Sequence, residues 1–442
     1  HYRSTRWQSS RRHTLTLSQI PLPLLLTILA IFGAFVGRFL SVCIDRFPRH
    51  DLLRDQIKSL TSVWNVCQRC AAVPSSRECI PVVSWLTDRR CQQCRSKLSL
   101  QLPIVEITTG LLFAAVYWCE IPRGSVTAIS VGGLTSVEGP QGPEVLSLWS
   151  PVVWLHLRYA LHMMMICGLV VATGIDLKLR IIPDGCTVPI AVLAVIASVA
   201  FGQLYIVPIW FQDASTVKTL QPLMHVALQP LFVPWDPTSF IRAYPHLHGL
   251  LVSLLGMFAG AGSVWLVRQI GFLVLKQEAM GFGDVVLMGM IGSVIGWQPV
   301  LAVFILAPTL AIFAAAINWF AHRDNEIPYG PFLSGATVLL LLTWPHTWPF
   351  AKRFFDMGPF LIAMGVFMAL LLAVSLQIVQ LVKRLLGFGI ATSGDDGGWD
   401  SADHLFYYNG ERPDERTGQW QREQWPGCRA GRGLKQMHEW KD

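Results

Sequence analysis

The sequence predicts an all-α, polytopic transmembrane helical bundle, and three observations carry that prediction. Hydrophobic residues make up 52% of the chain and charged residues only 14%, where a soluble domain carries about a quarter charged. Apolar runs of the roughly 20 residues needed to cross a bilayer recur along most of the 442 residues. The runs are continuous rather than alternating, so they read as helices and not as barrel strands. Eight or nine spans fit this pattern, with ends placed to about 2–4 residues. A formal net charge of +7 is too small an excess to argue for nucleic acid. In a membrane protein, the placement of Lys and Arg sets orientation instead.

Residues 1–20 are polar, and the sequence opens on His1 rather than Met, so the true start is expected to lie upstream. Arg3, Arg6, Arg11 and Arg12 ahead of an apolar run imitate a signal peptide. The run at 21–44 is too long for a signal core and lacks a small-residue cleavage site, so it reads as a retained first span. Gly33 and Gly37, one helical turn apart, suit close helix packing.

Residues 45–103 form a polar loop rich in Lys and Arg, which places it in the cytoplasm. It holds two CxxC pairs, Cys67 with Cys70 and Cys91 with Cys94. Four thiolates at this spacing suit a tetrahedral, zinc-ribbon-like structural zinc site. The alternative is four reduced or disulfide-paired cysteines without metal. Cys79, between the pairs, reads as a bystander.

A second span at 104–120 has Glu106 near its start. Residues 121–151 are rich in Gly, Ser and Pro with almost no basic residues, as expected on the far side. The third span, 152–175, ends at Asp176, and His156, Arg158 and His162 in its first half read as an interfacial segment that snorkels to water. Lys178 and Arg180 then mark a cytoplasmic loop, and Pro183 and Asp184 suit a turn that opens the next helix.

Residues 186–210 span back, 211–246 are external, and 247–270 span inward with Gly249, Gly256, Gly260 and Gly262 for packing. A cytoplasmic loop with Lys276 and Glu278 delivers Gly281-Phe282-Gly283-Asp284. The stretch 285–320 is too long for one span and breaks at Gly296-Trp297-Gln298-Pro299. Another helix opens at Ile327-Pro328-Tyr329-Gly330-Pro331-Phe332 and runs to about Trp344, and 358–385 is the last span. The tail, 386–442, is charged, Gly-rich and without periodicity, and reads as disordered.

This plan brings Asp176 and Asp284 to the same, cytoplasmic, membrane face. Carboxylates at a membrane edge are costly and commonly functional. Two that approach closely share a proton, so one serves as base on a water and the other as acid on a scissile carbonyl. Gly281 and Gly283, lacking side chains, would let an extended substrate backbone come near Asp284. The plainer reading is that each acid only terminates a helix, where Asp284 would sit well at an N-terminus. Their shared side favours chemistry.

These residues resemble the type IV prepilin peptidases, the bifunctional leader peptidase/N-methyltransferases of type IV pilus and type II secretion systems. The match runs in order through Asp45-Arg46-Phe47-Pro48, both CxxC pairs, Ile80-Pro81-Val82-Val83-Ser84-Trp85-Leu86 and Leu102-Pro103-Ile104-Val105-Glu106. It continues through the Asp176 segment with Ile182-Pro183-Asp184, then Gly281-Phe282-Gly283-Asp284 and Ile327-Pro328-Tyr329-Gly330-Pro331-Phe332-Leu333.

The resemblance implies a GxGD aspartic protease with Asp176 and Asp284 as the catalytic pair, in a bacterial inner membrane with its site facing the cytoplasm. It implies prepilin or pseudopilin substrates with a basic leader and an apolar N-terminal helix lying in lipid. It also implies S-adenosylmethionine as donor for methylating the new N-terminus. The domains then fall at 21–120 (N-terminal prepilin peptidase domain with the 45–103 loop) and 152–345 (GxGD peptidase domain), with an additional span within 346–385. Arg38 and Ser41 stand where the family shows Ser and Asn, and Val286 stands where a Lys follows the acid. These departures bear on the methyltransferase and leave the acid pair untouched. Two other readings use the same residues. A proton-coupled transporter would need acids near mid-bilayer and an internal repeat. A methyltransferase without proteolysis would leave both acids dispensable.

Overall fold

A computed structural model describes residues 21–50, 52–61, 94, 99–121, 151–210, 214–223, 226, 229–231, 238–275, 280–320 and 328–385. The regular structure among them is helical, without strands. In order these are α1 (Leu22–Arg46), a short α2 (Leu53–Lys58), α3 (Gln101–Glu120), α4 (Pro151–Leu179), α5 (Val188–Phe201), α6 (Ala214–Leu220) and α7 (Thr238–Ala243). They continue with α8 (Pro245–Leu275), α9 (Phe282–Ile295), α10 (Trp297–Phe320), α11 (Gly330–Phe355) and α12 (Phe360–Leu385). The segments 1–20, 122–150 and 386–442, and most of the four-cysteine loop, lie outside the described residues.

Every apolar run read from the sequence contains a helix. Seven of these helices are long and apolar enough to cross a membrane: α1, α3, α4, α5, α8, α10 and α12. At 14 residues, α9 extends about 21 Å, short of a hydrocarbon core of about 30 Å. It is instead enclosed by protein, with Leu287, Met288, Met290 and Ile291 buried. The break before α10 falls at Gly296, whose φ of +87° is a left-handed backbone that glycine adopts without strain. Several boundaries differ from expectation. α5 ends at Phe201, well short of 210, where Gly202 takes a left-handed backbone (φ 70°). α11 does not end near Trp344 but continues through Pro345 and Pro349 to Phe355. Prolines are tolerated inside such helices where neighbours and side chains satisfy the freed backbone groups.

Lipid tails are as apolar as leucine, so helices here associate through close packing rather than through escape from water. Glycines provide it. A Cβ on Gly33 would strike the Gly110 Cα and the Phe113 ring, and one on Gly37 would strike the Glu106 backbone, so α1 and α3 lie antiparallel and nearly in backbone contact. A Cβ on Gly256 or Gly292 would run into the other's carbonyl, and one on Gly260 would run into that of Met288. These contacts lock α8 antiparallel to α9. α12 sits outside this core against α8, with its apolar side chains outward.

Among the described residues, ion pairs at two places hold charge inside the bundle. Arg38 Nη1 donates to Glu106 Oε1 at 2.8 Å, so the arginine that departs from the expected pattern in the first helix has an acidic partner. At the opposite end, Arg158 Nε donates to Glu120 Oε1 at 2.9 Å, and His162 Nδ1 lies 3.0 Å from Glu120 Oε2. Arg158 and His162 therefore do not snorkel to water as expected. Both are buried, because Glu120 at the end of α3 meets them there, a partner that sequence distance concealed.

Removing one member of such a buried pair strands the other charge, at a cost of about 3–5 kcal/mol. Glu120→Gln is expected to lose that much stability in unfolding of the purified protein in detergent. Pairing it with Arg158→Met should recover most of the loss, and an unchanged unfolding curve for the single variant would contradict the role assigned to the pair.

Candidate active site

Three helix ends meet at the end of the bundle opposite Glu120. α4 presents Asp176 from its last turn. The helix does not stop at this acid, as expected, but continues to Leu179 and makes Lys178 helical. It ends where Arg180 takes a left-handed backbone (φ 57°) and donates its N–H to the Asp176 carbonyl at 2.9 Å. The chain then runs through Ile181, Ile182 and Pro183 into the short turn Asp184–Cys186 ahead of α5.

α9 presents Asp284 from its first turn. Gly281 is the N-cap, so Asp284 is the third helical residue. Its carboxylate faces back onto the Gly281 backbone N–H, as an acid at this position does in a capping box. α11 supplies the third end. Tyr329 is its N-cap and Gly330 its first residue. The Gly330 backbone N–H faces the Asp176 carboxylate. A Cβ at Gly330 would lie 2.5 Å from Asp176 Oδ2, so glycine there is what allows the acid to reach the helix end. Each carboxylate thus sits against a helix N-terminus, where oriented N–H groups stabilise negative charge.

The two acids come from positions 108 residues apart. They are buried together, at 5% and 8% exposure, close enough for the Asp176 charge to act on Asp284. Ile182 is the spacer between their supports. A Cβ on Gly283 would meet the Ile182 Cβ at 3.0 Å, and one on Gly330 would meet its Cδ1 at 3.2 Å. Tyr329 borders the pair. Burial and the Asp284 charge push its phenol up to about 12, so it remains a neutral O–H donor near neutral pH. Gln56 of α2 braces the loop below: its Oε1 accepts from the Gly185 N–H at 2.7 Å, while its Nε2 donates to the His50 carbonyl at 2.7 Å.

Ile182, Tyr329 and Gly330 stood inside segments singled out in the sequence, but their roles were not readable there. Gln56 carried no signal at all. The two glycines before Asp284 differ in their surroundings. Gly281 has only Asp284 Oδ2 near its open side, at 3.9 Å, whereas a Cβ on Gly283 would press on Ile182.

Of the four expected zinc ligands, Cys67, Cys70 and Cys91 lie outside the described residues, and Cys94 is half-buried. Among the described residues, no group of three or more His, Cys, Asp or Glu side chains is placed to hold a metal ion.

Residues 31–119 match the Bacterial Peptidase A24 N-terminal domain, and residues 237–317 match the Type IV leader peptidase family. Over these segments the chain is similar to the type IV leader peptidase family. The second match contains Asp284, and relatives named for the same processing extend the similarity across Asp176. The chain is 26% identical, over 71% of its length and 92% of the relative's, to a type 4 prepilin-like proteins leader peptide-processing enzyme of Escherichia coli O78:H11. It is 24% identical, over 74% of its length and 93% of the relative's, to a prepilin leader peptidase/N-methyltransferase of Neisseria gonorrhoeae. To one from Myxococcus xanthus it is 27% identical, over 74% of each chain. No solved structure matches. The chain is thus a multi-pass membrane protein with two buried carboxylates at one end of its bundle.

The packing of Gly283 on Ile182 gives a test by coupling. Gly283→Ala should overpack the contact and cost about 1–3 kcal/mol. Ile182→Ala, which makes room, should lower that cost in the double variant, as measured by thermal unfolding. Gly281→Ala meets only ordinary contact and should unfold like the parent. Strict additivity of Gly283→Ala and Ile182→Ala would show that the contact is not made.

Proposed function

We propose that this chain is an aspartic endopeptidase that cuts the leader peptide from type IV prepilins or type II secretion pseudopilins, with Asp176 and Asp284 as the catalytic pair. The observation that carries the reading is the meeting of these two buried carboxylates, drawn from distant helices, at one end of an otherwise apolar bundle. A pair so placed shares a proton. In the ionised carboxylate a water finds its base, and in the protonated partner the scissile carbonyl finds its acid. The Gly281 and Gly330 N–H groups hold the two side chains in orientation while that proton moves.

The edge of the bundle suits such a substrate. Asp176 lies one turn from the end of α4, and Asp284 lies in the first turn of α9. A charged leader would remain in water while the following apolar helix of the substrate lies in lipid. Basic residues at this end, among them Arg46, Arg49, Arg54, Lys58, Lys178 and Arg180, support a cytoplasmic orientation by the positive-inside rule. The open side of Gly281 is the place for the substrate backbone.

Zinc belongs with the four cysteines Cys67, Cys70, Cys91 and Cys94 by the chemistry of the donor set, as a structural ion of the cytoplasmic loop. When bound, S-adenosylmethionine would supply the methyl group for the new N-terminus, the second activity that the names of the relatives state for those proteins.

Asp176→Asn and Asp284→Asn are each expected to lower leader cleavage at least about 10²-fold, the scale of a lost general acid or base. Both variants should still insert in the membrane. The assay is cleavage of a prepilin in reconstituted vesicles, with the product scored by mass with and without S-adenosylmethionine, where methylation adds one methyl group. Parent-like cleavage by either variant would end the proposal. Metal analysis should find one zinc per chain, lost on Cys67→Ser with Cys94→Ser. A metal-free parent that cleaves normally would remove the zinc assignment alone.

A further inference from the structure

The turn that carries Asp284 is held from outside by a residue of another helix. Arg268 lies on α8, and its Nε–H donates to the Met280 carbonyl oxygen at 3.2 Å. Its guanidinium stands 5.9 Å from the centre of the Phe282 ring, within the range of a cation–π contact. The acceptor is what matters. The Met280 carbonyl and the Gly281 N–H belong to one peptide group, and that N–H is the one facing the Asp284 carboxylate.

A peptide group is planar and trans, so its carbonyl and N–H point in opposite directions along one line. Fixing the carbonyl fixes where the N–H points. Glycine at 281, with extended backbone (φ −68°, ψ 150°), places little restraint of its own on that plane. The anchor for Arg268 is firm, because α8 and α9 are locked by the Gly256–Gly292 and Gly260–Met288 contacts. A hydrogen bond to the carbonyl also polarises the peptide and strengthens the N–H as a donor.

We infer that Arg268 is a positioning residue for Asp284, acting through the Met280–Gly281 peptide group to aim the Gly281 N–H at the carboxylate. This rests on the proposed role of Asp284. Arg268 need not touch substrate. It holds the acid in the geometry that the chemical step requires, so its loss should appear in kcat and not in KM.

The test uses the full chain in vesicles with a prepilin substrate. Arg268→Met keeps the stem and removes the donor. It should lower kcat about 5- to 10-fold, the worth of one net hydrogen bond, with KM unchanged. Arg268→Gln sets an amide nitrogen at the same place along the side chain as Arg Nε, without the charge, and should restore most of kcat. Thermal unfolding of all three proteins is measured alongside. Parent-like kcat for Arg268→Met would overturn the inference. So would a Gln variant no better than Met, or a loss shared between kcat and KM that tracks lost stability. Asp176→Asn and Asp284→Asn run in parallel. If those still cleave, it is the proposed function that fails. If they are inactive while the Arg268 series is flat, only the present inference fails.

Discussion

Two carboxylates cannot rest inside an apolar bundle unless something other than water stabilises them, and this chain meets that constraint with helix ends. Asp176 lies against the N-terminus of α11, and Asp284 lies in the first turn of α9. A helix N-terminus offers N–H groups without intrahelical partners, and a partial positive charge. The Gly330 N–H comes ahead of the Arg180 charge in stabilising Asp176, and for Asp284 it is the Gly281 N–H that does so. The opposite end of the bundle makes the contrast. There Glu120 is gripped by Arg158 and His162, a closed arrangement suited to holding helices together.

Glycine is the condition for this geometry. Gly330 lets the Asp176 carboxylate reach the α11 backbone. Gly256, Gly260 and Gly292 let α8 carry α9 at near-backbone distance, so the Asp284 turn is registered against a rigid neighbour. Because hydrophobic burial gives helices little reason to associate in lipid, such contacts decide which arrangement forms. The same packing fixes the anchor from which Arg268 reaches the Met280 carbonyl. Order at the acids is thus inherited from helix packing in the membrane.

Much of this was legible in the sequence, for identifiable reasons. Continuous apolar runs exposed the helices, since a membrane demands them. The alternation of those runs placed Asp176 and Asp284 at one end, and Gly296 with Pro299 marked the α9–α10 break. What could not be read were partners far apart in the chain. His162 and Arg158 looked like interfacial residues until Glu120 appeared beside them, and Arg38 looked like a departure until Glu106 did. The packing of Gly283 on Ile182 could not be read, because only coordinates reveal Ile182 beside it. α4 passes Asp176 because Arg180 ends the helix in a left-handed conformation, which glycine usually signals and arginine does not.

All of this depends on the side chains at 176 and 284 meeting. Thiol cross-linking in native membranes tests it most directly. The double variant Asp176→Cys with Asp284→Cys is oxidised or treated with a short bifunctional thiol reagent, and the linked peptides are identified by mass spectrometry. A covalent link between the peptides containing positions 176 and 284 is expected, absent from each single variant. Both cysteines reacting singly with a thiol probe, without any linked pair, would contradict it.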